Sequence, residues 1–245
     1  RKASPEGYHV SSDGQISFSD DETKLYFGLA LPEIYQDTLL LKEEIVDVEV
    51  WTYDEPRLYT IQEMQLNNDK KKSFKSVYNF DNEKVVQIAN KDFPNAIISE
   101  HGNSEYALIS NPQPYQLSSQ WTALFSKNDL AVKNIKNGES EIVIKGNPSL
   151  ARLSPQGYYA FGYNQVDSTW YTHNLKKSKY TELTRGKIFY NELSDYPNYP
   201  SSYGIAGWSK NDKTIFIYDR YDIWEFDPDT GDSKRLTNGR ESKTS

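Results

Sequence analysis

The chain of 245 residues lacks cysteine altogether. Disulfide bonds, zinc–thiolate sites and cysteine nucleophiles are therefore excluded. No stretch approaches the roughly 18 consecutive apolar residues that a membrane-spanning helix needs, so membrane insertion is not expected. Basic residues are in the minority, because 28 Lys and Arg face 35 Asp and Glu and the net charge is −7. Binding to nucleic-acid phosphates needs a basic patch, so nucleic acid is not expected as a partner.

Aromatic residues are abundant. They make up 14% of the chain, with 19 Tyr, 10 Phe and 5 Trp, whereas hydrophobic residues total only 36%. Disordered chains are poor in aromatic residues, so this composition predicts a folded protein. Aromatic side chains with modest aliphatic content favour strands over helices.

A turn that begins with serine recurs four times, each time before a strongly apolar strand. The four serines are Ser19, Ser99, Ser154 and Ser209. The last two intervals are equal at 55 residues, and the first, at 80, equals one period plus about 25 inserted residues. Downstream of each turn, a strand, a polar turn and a further short strand predict a hairpin.

Four strands in each period of roughly 50 residues predict an all-β fold built from β-propeller blades of four antiparallel strands. The predicted blades span 13–91 with an insertion at 31–74, 92–146, 147–186 and 187–245. The alternative is two unrelated β-sandwiches, which would not explain the repeated interval. In the strand from Lys24 to Leu29 both alternating sets are largely nonpolar, as expected of a sheet between two other sheets.

The number of blades is low for a closed ring. Propellers with blades of this size more often have six to eight blades, or roughly 300–400 residues. We therefore expect an incomplete propeller excised from a longer protein. Its exposed blade edges would favour self-association.

Several segments resemble the N-terminal propeller domain of the prolyl oligopeptidase family of serine peptidases, above all bacterial members related to glutamyl endopeptidases and dipeptidyl peptidases. The more specific pair is Tyr203–Trp208 with Asp219–Trp224. The other matching segments are Val46–Trp51, Leu153–Gly157 and Arg235–Gly239.

The resemblance implies a non-catalytic domain that gates and orients peptide substrates for a C-terminal α/β-hydrolase domain in the parent chain. It also implies a periplasmic or secreted location. The sequence contains no Gly-x-Ser-x-Gly nucleophile elbow, so no catalytic residue is assigned and this chain alone is expected to be inactive. The alternative is a freestanding TolB-like propeller that acts as a protein-interaction scaffold.

The candidate contact residues lie mainly in a loop stiffened by proline and rich in tyrosine, from Phe189 to Tyr203. Such loops suit contact with a substrate or another domain, and the alternative is a connection that fills the wedge between blades. Arg220 could bind a carboxylate through two hydrogen bonds, or it could pair with Asp219 and Asp222 beside it. The candidates for substrate or interdomain contact are Glu192, Asp195, Tyr196, Tyr199, Tyr203 and Arg220.

No cofactor or metal is expected. The three histidines are scattered along the chain, and Asp227–Asp232 lacks the later glutamate ligand of a calcium loop, so it is expected to be a hairpin turn. Glu43 and Glu44 could hold a substrate amine, but no surrounding motif supports that role over a solvated pair.

Overall fold

The computed structural model describes residues 5–32, 41–44, 48, 52–121, 127–148 and 151–242. Within these ranges the strands form four antiparallel sheets, and in three of them the strands neighbour one another in chain order. Most of the segment Val46–Trp51, which contributes to the family resemblance, lies outside the described residues.

Sheets one and two hold the first nine strands. The strands of sheet one are β1 (His9–Val10), β2 (Ser17–Phe18), β3 (Lys24–Ala30), β4 (Phe74–Asn79) and β5 (Lys84–Gln87). Both β1 and β2 pair with β3, so together they take the place of one first strand. The strands of sheet two are β6 (Asn95–Ile97), β7 (Tyr106–Asn111), β8 (Asn128–Asn134) and β9 (Ser140–Asn147).

Sheets three and four follow the same plan with four strands each. The strands of sheet three are β10 (Arg152–Leu153), β11 (Tyr159–Asn164), β12 (Thr169–Asn174) and β13 (Lys179–Glu182). The strands of sheet four are β14 (Ile205–Trp208), β15 (Ile215–Tyr218), β16 (Ile223–Phe226) and β17 (Ser233–Arg235). The prediction of propeller blades of four antiparallel strands is confirmed.

Central strands pack on both faces, which is why their two alternating sets of residues are apolar. In β7, Ala107 and Ile109 belong to a buried cluster shared with sheet one. Leu108, between them, belongs to a second cluster shared with sheet three. In β11, Ala160 faces sheet two while Phe161 lies in a third cluster with sheet four. Successive sheets are thus joined face to face by burial of apolar surface.

The repeated serine has a local structural cause. Each Ser side chain accepts a hydrogen bond from the backbone N–H five residues later. The donor–acceptor distances are 3.0 Å for Lys24 to Ser19, 3.3 Å for Ser104 to Ser99, 3.0 Å for Tyr159 to Ser154 and 2.9 Å for Thr214 to Ser209. The hydroxyl therefore fixes the turn that starts the second strand of every blade.

The same turns hold neighbouring sheets together. The Asp20 N–H donates to the carbonyl of His101 at 2.9 Å, which joins sheets one and two. The Ser104 hydroxyl donates to the carbonyl of Gly157 at 3.2 Å, which joins sheets two and three. The Gln156 N–H donates to the buried carboxylate of Asp212 at 3.1 Å, which joins sheets three and four.

Aromatic packing between blades is concentrated at one interface. Five of the eight buried residues between sheets three and four are aromatic. In the buried cluster between sheets one and two, Tyr26 is the one aromatic residue. The buried cluster between sheets two and three has no aromatic member. The wedge between sheets three and four is thus the part of the described protein where large flat side chains fill the core.

One helix of three turns stands apart from the sheets. Helix α1 (Tyr59–Lys70) connects β3 to β4, within the segment that the sequence marks as an insertion, and none of its residues is buried. Gln120, between β7 and β8 of sheet two, bonds to the segment just before this helix. Its side chain accepts a hydrogen bond from the Leu58 N–H and donates one to the Pro56 carbonyl. Among the described residues, no helix is long and apolar enough to cross a membrane.

Candidate functional site

The loop from Phe189 to Tyr203, here called the tyrosine loop, has a fixed base. Phe189 is buried in the cluster between sheets three and four. Tyr190 pairs with Ser202 in an antiparallel bridge, and the Asn191 N–H donates to the Ser201 carbonyl at 2.7 Å. The base is therefore a short two-stranded neck that projects the middle of the loop outward.

The middle of the tyrosine loop, residues 193–199, is an exposed tip. Tyr196 is 78% exposed and Leu193 is 66% exposed, while Asp195 and Tyr199 also lie on the surface. Large exposed apolar groups on a structured neck are typical of contact surfaces. Of the predicted candidates, Asp195, Tyr196 and Tyr199 thus lie together on the tip.

Glu192 and Tyr203 lie at the neck rather than on the tip. The Glu192 N–H donates to the Tyr203 hydroxyl at 3.1 Å. The Glu192 carboxylate lies 3.6 Å from a guanidinium nitrogen of Arg240, which also lies 3.4 Å from the Asp219 carboxylate. Burial alone would lower the pKa of Arg240, but these two carboxylates outweigh it and the pKa is raised.

Arg220 does not pair with the acidic residues beside it. Among the described residues its guanidinium stacks on the ring of Tyr221, 4.9 Å from the centroid, with no ion pair to Asp219 or Asp222. Arg240 lies 5.1 Å from the centroid of the same ring. Two cations therefore share one aromatic ring, and only Arg240 is neutralised by carboxylates.

The two acidic residues instead organise the turn around them. Asp219 accepts the indole N–H of Trp224 at 3.0 Å and the N–H of Asp222 at 2.6 Å. Asp222 accepts the hydroxyl of Thr237 at 2.8 Å. Burial opposes ionisation of Asp222, but the hydrogen bonds and Arg235 prevail and lower its pKa. This cluster holds the end of sheet four in place. The role of Arg240 had no sequence signal, since it lies about 20 residues away from Asp219.

A cavity of about 660 Å³ is lined by residues from three of the four sheets. It is bordered by β6, β10 and β14, which come from sheets two, three and four. Phe161, Tyr163 and Trp170 form its aromatic wall. The uncharged polar residues that line it are Asn95, Ser110, Asn128, Gln165, Ser201 and Ser202. A cavity of this size with an apolar wall and a few polar groups is typical of ligand sites.

The cavity and the tyrosine loop are continuous. Ser201 and Ser202 belong both to the neck of the loop and to the cavity lining. The Tyr163 hydroxyl, on the aromatic wall, donates to the Pro200 carbonyl at 3.2 Å. The loop therefore runs from the cavity to the exposed tip. None of the predicted candidates lines the cavity itself, since the only lining residues from the tyrosine loop are Ser201 and Ser202.

Two cations line the same cavity. Lys127 lies just before β8, and Arg152 begins β10. Both side chains are exposed, and neither forms an ion pair with any described residue. Their sequence neighbours gave no sign of a site, since isolated basic residues are common on protein surfaces.

A second recess, of about 490 Å³, lies between sheets two and three. Glu139, Glu141 and His173 are among its lining residues. His173 is buried, and its Nδ1 has no hydrogen-bond partner within the described part of the chain. Burial lowers the pKa of His173, against an opposite effect of Glu141. The described residues contain no group of three acidic, cysteine or histidine side chains that could hold a metal ion.

The proteins similar to this chain are found among solved structures. No protein-family model matches this chain, and no curated protein matches it. Among solved structures, it is similar to a prolyl endopeptidase, with 11% identity and a TM-score of 0.43 over 96% of this chain and 30% of that one. It is also similar to dipeptidyl peptidase 4 from Porphyromonas gingivalis, with 13% identity and a TM-score of 0.43 over 91% of this chain and 30% of that one.

A third similar structure is a propeller on its own. The β-propeller domain of the Trilobed protease from Pyrococcus furiosus matches with 8% identity and a TM-score of 0.40, over 92% of this chain and 58% of that one. This chain therefore spans about a third of the length of the two peptidases and under two thirds of this domain. The predicted blade fold rests on the four described sheets rather than on these similarities.

Proposed function

We propose that this propeller is the non-catalytic, peptide-binding part of a serine peptidase of the prolyl oligopeptidase family. It gates and orients peptide substrates for a separate α/β-hydrolase domain. The observation that carries this proposal is the cavity lined by residues from sheets two, three and four. Its position among three blades gives a peptide access to side chains from all of them.

The chemistry of the cavity suits a peptide. Asn95, Asn128 and Gln165 each carry an amide that can donate to a peptide carbonyl and accept from a peptide N–H. The aromatic wall offers apolar surface to the side chains of the peptide. Such a lining binds the backbone of many sequences, which fits a part that orients substrates without cleaving them.

The exposed tip of the tyrosine loop suits the hydrolase domain. Leu193 and Tyr196 present apolar and amphipathic surface to solvent, and Tyr and Trp are enriched in protein interfaces. The loop leads directly to Ser201 and Ser202 in the cavity lining. A domain bound at the tip would therefore lie beside the cavity. It could receive a peptide that the cavity binds.

The first experiment measures binding of short peptides with blocked ends to the purified chain by calorimetry. Ser201→Trp places a large ring in the cavity and should weaken binding at least about tenfold. Ser194→Trp is the matched control, because Ser194 lies on the exposed tip of the same loop and does not line the cavity. Equal binding by both variants, or no peptide binding at all, would contradict the proposal.

The second experiment addresses the proposed hydrolase domain. The reading frame beyond Ser245 should encode a Gly-x-Ser-x-Gly motif on a strand–turn–helix within a few hundred residues. A stop codon soon after Ser245 would instead favour the TolB-like scaffold. Peptide cleavage by this chain alone that a serine-directed inhibitor abolishes would contradict a non-catalytic role.

A further inference from the structure

The charge of the cavity lining is unlike the charge of the whole protein. The net charge of the chain is −7, yet the described residues that line the cavity include Lys127 and Arg152 and no acidic residue. Other basic side chains have carboxylate partners, as Arg240 and Lys177 do. The cavity is therefore a local positive site on an acidic protein, and its field favours an anionic ligand.

A residue of the cavity wall also carries a buried donor without an acceptor. Trp170 is more than nine-tenths buried and lines the cavity, and its indole Nε1–H has no hydrogen-bond partner among the described residues. A buried donor left unpaired is costly, so such groups are uncommon in folded proteins. Because the Trp170 ring is part of the cavity wall, we expect the signal of its indole N–H to respond to a group that enters the cavity.

We infer that the cavity recognises a carboxylate group of its peptide ligand, with Lys127 and Arg152 as its charge partners. This inference rests on the proposed function and specifies the substrate class of the same site. The planar guanidinium of Arg152 matches a carboxylate through two parallel hydrogen bonds, and the Lys127 ammonium adds a point charge. The hydroxyls of Ser201 and Ser202 supply further donors.

A carboxylate on a peptide has two sources, a Glu or Asp side chain and the C-terminus. Three tetrapeptides of one sequence distinguish them. One carries an internal Glu with both ends blocked, one carries Gln in its place with both ends blocked, and one carries Gln with a free C-terminal carboxylate. Calorimetry on the purified chain should show that the blocked Gln peptide binds at least about tenfold more weakly than one or both of the others.

The variants assign this selectivity to the two cations. Lys127→Gln combined with Arg152→Gln should remove the preference, so that the three peptides bind equally. Lys234→Gln is the matched control, because Lys234 is an exposed cation on β17 that does not line the cavity. A preference that survives the double substitution, or is equally lost in the control, would overturn the inference, as would equal binding of all three peptides to the unaltered chain.

A probe smaller than a peptide separates this inference from the proposed function. Sodium acetate is titrated into ¹⁵N-labelled chain while the indole signal of Trp170, assigned with Trp170→Phe, is followed by NMR. A saturable shift that is absent from the double variant supports the carboxylate site even if no peptide binds. Peptide binding without selectivity and without that shift would leave the proposed function standing and refute the carboxylate site.

Discussion

Gly157 offers the sharpest test of how the blades are joined. It ends the serine turn of sheet three and has a φ of +72°, a conformation that side chains with a Cβ rarely adopt. A Cβ at this position would lie 2.3 Å from the Ser104 Oγ and 2.4 Å from the Ser104 Cβ. Rotation could move the hydroxyl away, but the Cβ is fixed to the backbone of sheet two.

Two costs add in Gly157→Ala. The left-handed conformation costs an alanine about 1 kcal/mol, and overpacking of a well-packed contact costs about 1–3 kcal/mol. We therefore expect the free energy of unfolding to fall by about 3 kcal/mol. For a protein of this size that corresponds to a melting temperature lower by about 6–12 °C, measured by circular dichroism during heating.

Gly186→Ala is the matched control for the backbone cost. Its φ is +74°, nearly that of Gly157, but no atom lies within 4 Å of the position its Cβ would take. Gly186→Ala should lower the free energy of unfolding by only about 1 kcal/mol. Adding Ser104→Gly to Gly157→Ala removes the clash. The double variant should therefore lose less unfolding free energy than the two single variants lose together. Equal losses in the two alanine variants would refute the contact between sheets as the cause.

Two further predictions concern buried groups. Tyr26→Phe should lower the free energy of unfolding by about 1 kcal/mol in a urea titration, because the Tyr26 hydroxyl donates to the Gly102 carbonyl at 2.7 Å across sheets one and two. The control is Tyr53→Phe, at a side chain that is 96% exposed, which should leave the free energy of unfolding unchanged. The pKa of His173 is lowered from 6.5 in the folded protein by burial, so the unfolded chain binds the proton more tightly and the melting temperature should fall as pH drops below about 6.5. In His173→Gln this fall should be smaller, and identical pH profiles of the two proteins would contradict the assignment.

Local features of the fold could be read from the sequence because their interactions close within a few residues. Ser154 binds the N–H of Tyr159 five residues later, and the same contact recurs at Ser19, Ser99 and Ser209. The repeat therefore predicts the start of the second strand in each blade. The apolar character of both faces of these strands likewise predicts sheets stacked on each other.

The candidate site could be predicted only in part. The tyrosine loop was recognisable because proline and tyrosine in one segment are a local signal, and its exposed tip carries Asp195, Tyr196 and Tyr199. The partner of Glu192 could not be predicted, since Arg240 lies 48 residues further along the chain and reaches it only through the folding of sheet four. From the sequence, Arg220 seemed suited to pair with the neighbouring Asp219. In the structure Arg240, from a distant part of the chain, pairs with the Asp219 carboxylate instead.

The sequence by itself determined the number of sheets, their central hairpins and the turns between strands, since periodicity and turn chemistry act over short distances. Only the tertiary structure decided which side chains share the cavity. Arg152 and Trp170 come from two strands of sheet three, Lys127 lies just before β8 of sheet two, and each looks ordinary in its own segment. Their common location follows from how the sheets pack, and that packing is fixed by apolar clusters whose members lie far apart in the chain.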